Sequence, residues 1–211
     1  MTSPAPPIRL HRFALSGHSH RAELFLSLLG LPYEPIDTDL PNGAHKTPEF
    51  LAKNPFAQVP VLEDGDITLF DSNAILVYLA TRYDEPGRWL PRDAVLAARV
   101  QQWLSISAGQ LAYGPAAARL AVVFGAKLDH GHAKAIAARL YAVLDAHLAR
   151  ESFLAGEAPT IADVALYSYT AHAPEGGVPL EAYTHLRDWL ARIEALPGFI
   201  PMRPTPVRAT A

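Results

Sequence analysis

The hydrophobic period of this chain changes once, and that change constrains the fold more than any other feature. Up to about Tyr83, strand-like alternation gives way to helical spacing and back again; beyond Asp84-Glu85-Pro86-Gly87 the spacing is helical almost to the end. Such a pattern predicts an α/β domain followed by an all-α domain, divided at the Pro-Gly linker into residues 1–84 and 85–211. In the first half, Ile8 to Phe13 alternates as a half-buried strand, and Leu24, Phe25, Leu28 and Leu29 recur at helical spacing up to a stop at Gly30. Tyr33 to Asp37 is a second strand, and Thr47-Pro48 opens a short helix as N-cap and first helical residue. Val59 to Glu63 and Ile67 to Phe70 flank the turn Asp64-Gly65-Asp66, and Asp71-Ser72 caps the helix that follows. The order is βαβα, then ββα. In the second half, helices are predicted from about Asp93 to Phe124, with a bend or break at Gly109 and Gly114-Pro115. Three more are predicted from Ala133 to Ala149, Ile161 to Ala171 and Tyr183 to Leu196.

Composition removes several classes of function. The chain has 211 residues and no cysteine, which excludes disulfides, thiolate metal sites and a cysteine nucleophile. Any thiol chemistry must use a thiol carried by a ligand. A net charge of -3 offers no bulk attraction to nucleic acid or to an anionic membrane. No apolar run approaches the roughly 20 residues that span a bilayer, and Met1 to Pro7 lacks a secretory pattern. A cytoplasmic protein with neither nucleic-acid nor membrane partner is expected. His130-Gly131-His132, read as a loop without a third ligand, predicts no metal site, and no G-x-S-x-G elbow supports a hydrolase triad.

The chemistry is concentrated in two short runs. Pro60, at the entrance of the strand Gln58-Val59-Pro60-Val61-Leu62, removes a ladder donor; a cis Val59-Pro60 bond would turn the freed backbone toward a ligand. Ten residues beyond Val61, Asp71-Ser72-Asn73-Ala74-Ile75 opens a helix whose first N–H groups make a natural carboxylate site.

These two runs, with Asn54-Pro55 ahead of them, Ser16-Gly17-His18-Ser19-His20-Arg21 near the start and Thr160-Ile161-Ala162-Asp163 in the second half, resemble the signature of the cytosolic glutathione S-transferases. Within that family the chain resembles the serine-using, bacterial-like members related to the theta and zeta classes. The resemblance implies a thioredoxin-like N-terminal domain, an all-helical C-terminal domain holding a hydrophobic substrate pocket, glutathione as co-substrate, and a homodimer. Carried over by residue, Val59 binds the cysteinyl backbone of glutathione beside a cis Pro60, and Gln58 helps to hold that backbone. Ser72 takes the γ-glutamyl carboxylate and Asp71 its ammonium. His45, or Lys46 beside it, takes the glycine carboxylate, and Ser16 donates a hydrogen bond to the sulfur. In this reading the thiolate attacks a small hydrophobic electrophile, with isomerisation and dehalogenation as related uses of the same anion and a non-catalytic carrier as the contrasting class.

Independently of any family, a hydroxyl donor and a helix N-terminus both favour a thiolate over a thiol, whose unperturbed pKa is about 8.5. Ser19 is expected to cap the first helix, while His18 and His20 are alternative contacts to the thiol. Thr160 and Asp163 read as a structural capping box, and Tyr78, Trp103 and Trp189 as packing. Tyr113, Ala117 and Leu120 are candidates for the wall of the electrophile pocket.

Overall fold

A computed structural model describes residues 7–207. Most of the Met1–Pro7 segment and the last four residues of the Pro201–Ala211 tail, which the sequence predicts to be irregular, lie outside the described residues. The first half contains β1 (Ile8–Arg12), α1 (Gly17–Leu28), β2 (Tyr33–Asp37), a 3₁₀ turn at Ala44–Lys46, α2 (Pro48–Leu51), β3 (Val61–Asp64), β4 (Ile67–Phe70) and α3 (Ser72–Tyr83). The sheet order is β2-β1-β3-β4, with β1 parallel to β2 and antiparallel to β3, and β3 antiparallel to β4. This is the mixed sheet of a thioredoxin-like domain. Leu10 of β1 and Leu62 of β3 are paired and fully buried, and Leu24, Phe25, Ile75, Leu76 and Leu79 pack with them from α1 and α3.

Local signals act as the sequence predicts. Leu29 caps α1 and Gly30 follows in the left-handed region at φ +65°. Thr47 caps α2 with Pro48 at its start. Gly65, at φ +59°, turns the β3–β4 hairpin. His11 breaks the alternation of β1 by being buried, because its Nε2 meets Glu63 at 2.5 Å.

The second half is helical: α4 (Ala94–Ile106), a π-helical segment (Ser107–Ala116), α5 (Ala117–Val123), α6 (His130–Leu148), α7 (Ile161–Ala171), a 3₁₀ turn (Ala173–Gly176) and α8 (Thr184–Glu194). Two expectations are corrected. The bend or break expected at Gly109 and Gly114-Pro115 takes the form of an interruption of the α-helix by the π-helical segment, and the helix is not broken. It winds more widely, so that the Ala117 N–H reaches back to the Ala112 carbonyl, and this accommodates a proline without a donor. Gly114 serves close packing, since a Cβ there would stand 3.0 Å from the Ala137 nitrogen and from Ile136 of α6. His130-Gly131-His132 is not a loop but the first turn of α6. Asp129 caps it by accepting from the His132 N–H at 2.8 Å, and His130 bonds the Gly176 carbonyl at 2.7 Å.

The Thr160–Asp163 capping box is present at α7. Buried Asp163 also accepts from the Leu154 N–H and the Trp189 indole, both at 2.9 Å, so that one carboxylate fastens α7, α8 and the preceding loop. Burial drives its pKa upward against the opposing pull of these hydrogen bonds. Trp189 is fully buried, as a packing residue should be. No helix among the described residues is long and apolar enough to cross a membrane.

Candidate active site

The site forms where two helix N-termini meet the β3 entrance. The chain leaves β1 through a turn closed by the Ser16 N–H on the Phe13 carbonyl, and α1 begins at Gly17. Its N-cap is Ser16, whose side chain accepts from the Ser19 N–H at 3.2 Å. This corrects the assignment of the cap to Ser19, which lies inside the helix, fully buried, with its hydroxyl accepting from the Phe13 N–H at 3.2 Å. The residue before Ser16 is held from the helical domain: the Arg119 guanidinium of α5 donates to the Leu15 carbonyl at 2.8 Å and to buried Glu175 at 2.6 Å.

Two contiguous recesses open from this point. The larger, about 660 Å³, is walled by Ser16, His18, His45 and Val59 from the first half and by Tyr113, Leu120 and Tyr169 from the second. The smaller, about 330 Å³, is lined by His18, Asn54, Gln58, Val59, Pro60, Asp71 and Ser72. His18, Gln58 and Val59 belong to both, so the two form one groove from the N-terminus of α3 to that of α1. The Val59-Pro60 bond is cis. Pro60 is buried and Val59, half-buried, lines both recesses.

At one end, Asp71 caps α3 by accepting from the Ala74 N–H at 2.9 Å, while its own backbone takes the left-handed φ of 70°. Ser72 is the first residue of the helix and is buried. Its oxygen accepts from the Arg21 Nη1 at 2.8 Å and shares a hydrogen bond with His18 Nδ1 at 3.1 Å. Arg21 is almost wholly buried and also donates to Asn73 at 2.8 Å, while its Nε and Nη2 have no hydrogen-bond partner among the described residues. Burial lowers its pKa to about 10, opposed by Tyr169 and Asp71, so it remains a cation beneath the helix N-terminus. Burial, with Arg21 nearby, also drives the His18 imidazole down to about 3, so it is neutral near pH 7.

Other sequence-nominated residues fall as follows. His45 lines the larger recess with its buried Nδ1 unpartnered among the described residues. Lys46 is exposed and lines neither recess. His20 turns away into the core, bonding Ser168 at 2.8 Å and the Ile200 carbonyl at 2.9 Å, and burial brings its pKa to about 4. Tyr113 and Leu120 line the larger recess, whereas at the next turn Ala116 rather than Ala117 faces it. Sequence reasoning gave no role to Arg21, Tyr169 or the exposed pair Phe56 and Phe70, whose rings lie 5.8 Å apart beside the smaller recess. Arg21 stands within the quoted Ser16–Arg21 run, but Tyr169 lies far along the chain with no local mark. Among the described residues, no cluster of His, Asp and Glu could hold a metal.

A thioredoxin-like sheet that presents a cis proline to a groove, closed over by an all-helical domain, defines the glutathione-transferase class of fold. The comparisons agree. Residues 7–81 match the family model of the glutathione S-transferase N-terminal domain, and residues 109–197 that of the C-terminal domain. Glutathione S-transferase 3 of Zea mays is 36% identical across 95% of this chain and 97% of its own length. Human glutathione S-transferase theta-2B is 32% identical across 87% of this chain and 79% of its own. The crystal structure of a glutathione S-transferase from Pseudomonas fluorescens superposes with a TM-score of 0.86 at 33% identity, covering 93% of this chain and 99% of that one. A glutathione transferase homologue from Drosophila mojavensis with bound glutathione gives 0.82 at 29% identity, over 90% of this chain and 89% of that one. The chain belongs to the glutathione S-transferase family and is a transferase with glutathione as its substrate.

Proposed function

We propose that this enzyme binds glutathione along the whole groove and activates its thiol at Ser16 for attack on a small hydrophobic electrophile. The observation that carries this reading is the continuity of the groove. Two helix N-termini lie at its ends, and Val59, which lines both recesses, lies between them.

At the α3 end, Ser72 and the first N–H groups of the helix receive the γ-glutamyl carboxylate. Arg21 already fills one lone pair of the Ser72 oxygen. If His18 donates into the other as its Nδ1–H tautomer, the Ser72 proton is free for the ligand. Asp71 presents an exposed carboxylate for the ammonium. Val59, beside Pro60 and Gln58, pairs with the cysteinyl backbone. The open Nδ1 of His45 suits the glycine carboxylate better than exposed Lys46, which lines neither recess and stands as the alternative.

At the α1 end the sulfur meets the Ser16 hydroxyl and the positive end of the helix dipole. Both stabilise the anion and lower the thiol pKa. Serine acts as hydrogen-bond donor and keeps its own proton. The apolar wall of Phe13, Leu120, Phe124 and Tyr113 holds the electrophile near the thiolate, and orientation supplies much of the acceleration.

The reading includes a homodimer, a division of the domains between Asp84 and Glu85, and a place in the cytoplasm. It is tested by retention on immobilised glutathione together with turnover of a chloronitroaromatic electrophile. Retention without turnover of that or any of a panel of electrophiles, including halide-releasing and isomerising ones, would favour a carrier.

A further inference from the structure

The peptide unit between Leu15 and Ser16 is a rigid plane, with the Leu15 carbonyl at one edge and the Ser16 N–H at the other. Both edges are held. The Ser16 N–H donates to the Phe13 carbonyl at 2.8 Å, within its own turn. The Leu15 carbonyl accepts from Arg119 Nη1 at 2.8 Å, across 104 residues of chain. The first bond is local to the turn, whereas the second exists only because the helical domain reaches over. Ser16 leaves directly from that plane, so the plane's orientation sets where its hydroxyl stands in the larger recess.

Arg119 has little freedom of its own. It is 1% exposed, and its Nε donates to Glu175 at 2.6 Å. One planar guanidinium thus serves two partners from different nitrogens. Glu175 is held in turn by His172 Nδ1 at 2.6 Å, by the Thr205 N–H at 2.9 Å and by the Thr205 hydroxyl. The backbone cannot slide either, since a Cβ on Gly176 would stand 2.5 Å from the Arg119 nitrogen. Leu120, the next residue, and Phe124, one turn further, wall the larger recess, and the Phe124 ring lies 6.2 Å from that of Phe13. The segment that carries Arg119 therefore also carries the wall assigned to the electrophile.

We infer that Arg119 is a positioning residue for the thiolate. By holding the Leu15 carbonyl it keeps the Ser16 hydroxyl in line with the bound sulfur, in fixed register with the electrophile wall. Glu175 acts one step further back, by holding Arg119. The inference rests on the reading of Ser16 as the donor to sulfur. An ion pair that served the fold alone would contribute to stability and leave the bound thiol unaffected.

The test is a pH titration of thiolate absorbance for glutathione bound to the wild type, Arg119→Met, Ser16→Ala and the double variant, each first shown to be folded by its thermal transition. Arg119→Met is expected to raise the thiol pKa by about half to one pH unit, a part of the shift caused by losing the Ser16 hydroxyl itself. Near pH 7 kcat should fall about three- to tenfold, with the KM for glutathione unchanged. In the Ser16→Ala background the same change should add nothing. Methionine leaves Glu175 buried without its cation, which is destabilising. The set therefore includes Arg119→Met/Glu175→Gln, which removes both charges, and Glu175→Gln alone, which should give a smaller shift of the same sign.

A thiol pKa unmoved in every one of these variants that folds, while Ser16→Ala shifts it, overturns the proposal and leaves the reading of Ser16 intact. A shift from Arg119→Met that persists in full without Ser16 also overturns it, because the guanidinium would then act on sulfur through its charge. An unshifted thiol in Ser16→Ala refutes the reading of Ser16, and the proposal with it.

Discussion

Replacing Ser16 removes two interactions at once, and the structure indicates how to separate them. The hydroxyl is the N-cap of α1, accepting the Ser19 N–H at 3.2 Å, and it is also the donor proposed for the thiolate. Loss of a serine cap to alanine costs about 1 kcal/mol, whereas glycine at the same position costs only about a few tenths. For a chain of 211 residues a change of about 1 kcal/mol moves the melting temperature by roughly 2–4 °C. Ser16→Ala should therefore melt a few degrees below the wild type, and Ser16→Gly much closer to it.

The thiolate interaction scales differently, since a hydrogen bond to a charged group is worth about 1.5–3 kcal/mol, or roughly one to two pH units. Both variants lose the hydroxyl, so both should raise the pKa of bound glutathione by that same amount. Near pH 7 the rate should fall about ten- to a hundredfold, and much of it should return at high pH, with affinity for glutathione nearly unchanged. Calorimetry gives the first quantity and the pH–rate profile the second. A thiol pKa that tracks the melting temperature, shifting in Ser16→Ala but not in Ser16→Gly, would show that Ser16 shapes the helix entry and does not touch sulfur. An unshifted profile in both would turn attention to His18, which faces the same groove.

Asp71→Asn preserves the cap on the Ala74 N–H and removes the charge; glutathione affinity should fall while turnover at saturation holds, as binding and kinetic titrations would show, because the ammonium lies far from the sulfur. Burial raises the Glu175 carboxyl, but hydrogen bonds from Thr205, His172 and Arg119 outweigh it and bring the pKa down from 4.5 to about 2. A depressed carboxylate stabilises the fold above its unfolded pKa and loses that contribution as pH falls, so stability should drop between about pH 4.5 and 2. Denaturant titrations of Glu175→Gln should show a shallower acid dependence over that window. Light scattering at micromolar concentration should return the mass of a dimer, and a monomer mass would count against the assembly.

Much of the fold was legible locally. The change of hydrophobic period at Asp84–Gly87, the Gly30 stop, the Thr47-Pro48 start, the Gly65 turn and the Thr160–Asp163 box each work through neighbours a few residues away, so a linear reading finds them. Val59-Pro60 and Asp71-Ser72 were legible for a similar reason. Backbone without a ladder partner at a strand entrance, and open N–H groups at a helix start, are properties of the chain before it packs.

The rest depended on distant contacts. Ser16 and Ser19 are equivalent as capping residues by type, and the choice fell to Ser16 because the turn from β1 brings the Phe13 N–H onto the Ser19 hydroxyl. Gly114-Pro115 reads as a bend or break, yet the helix continues: a wider winding accommodates the proline, and the glycine lets α6 approach to where a Cβ would stand 3.0 Å from Ile136 and Ala137. His18 and His20 stand two positions apart and share no environment: one lines the groove, while the other is drawn into the core by Ser168 and Ile200. Arg21 beneath Ser72, Arg119 on the Leu15 carbonyl and Tyr169 against Gly17 join segments 51 to 152 residues apart, as numbered along the chain. Local propensity decides which elements form, because it acts over one or two turns of chain. Which side chains surround a ligand is decided by packing between elements, and that exists only once the two halves have closed on each other.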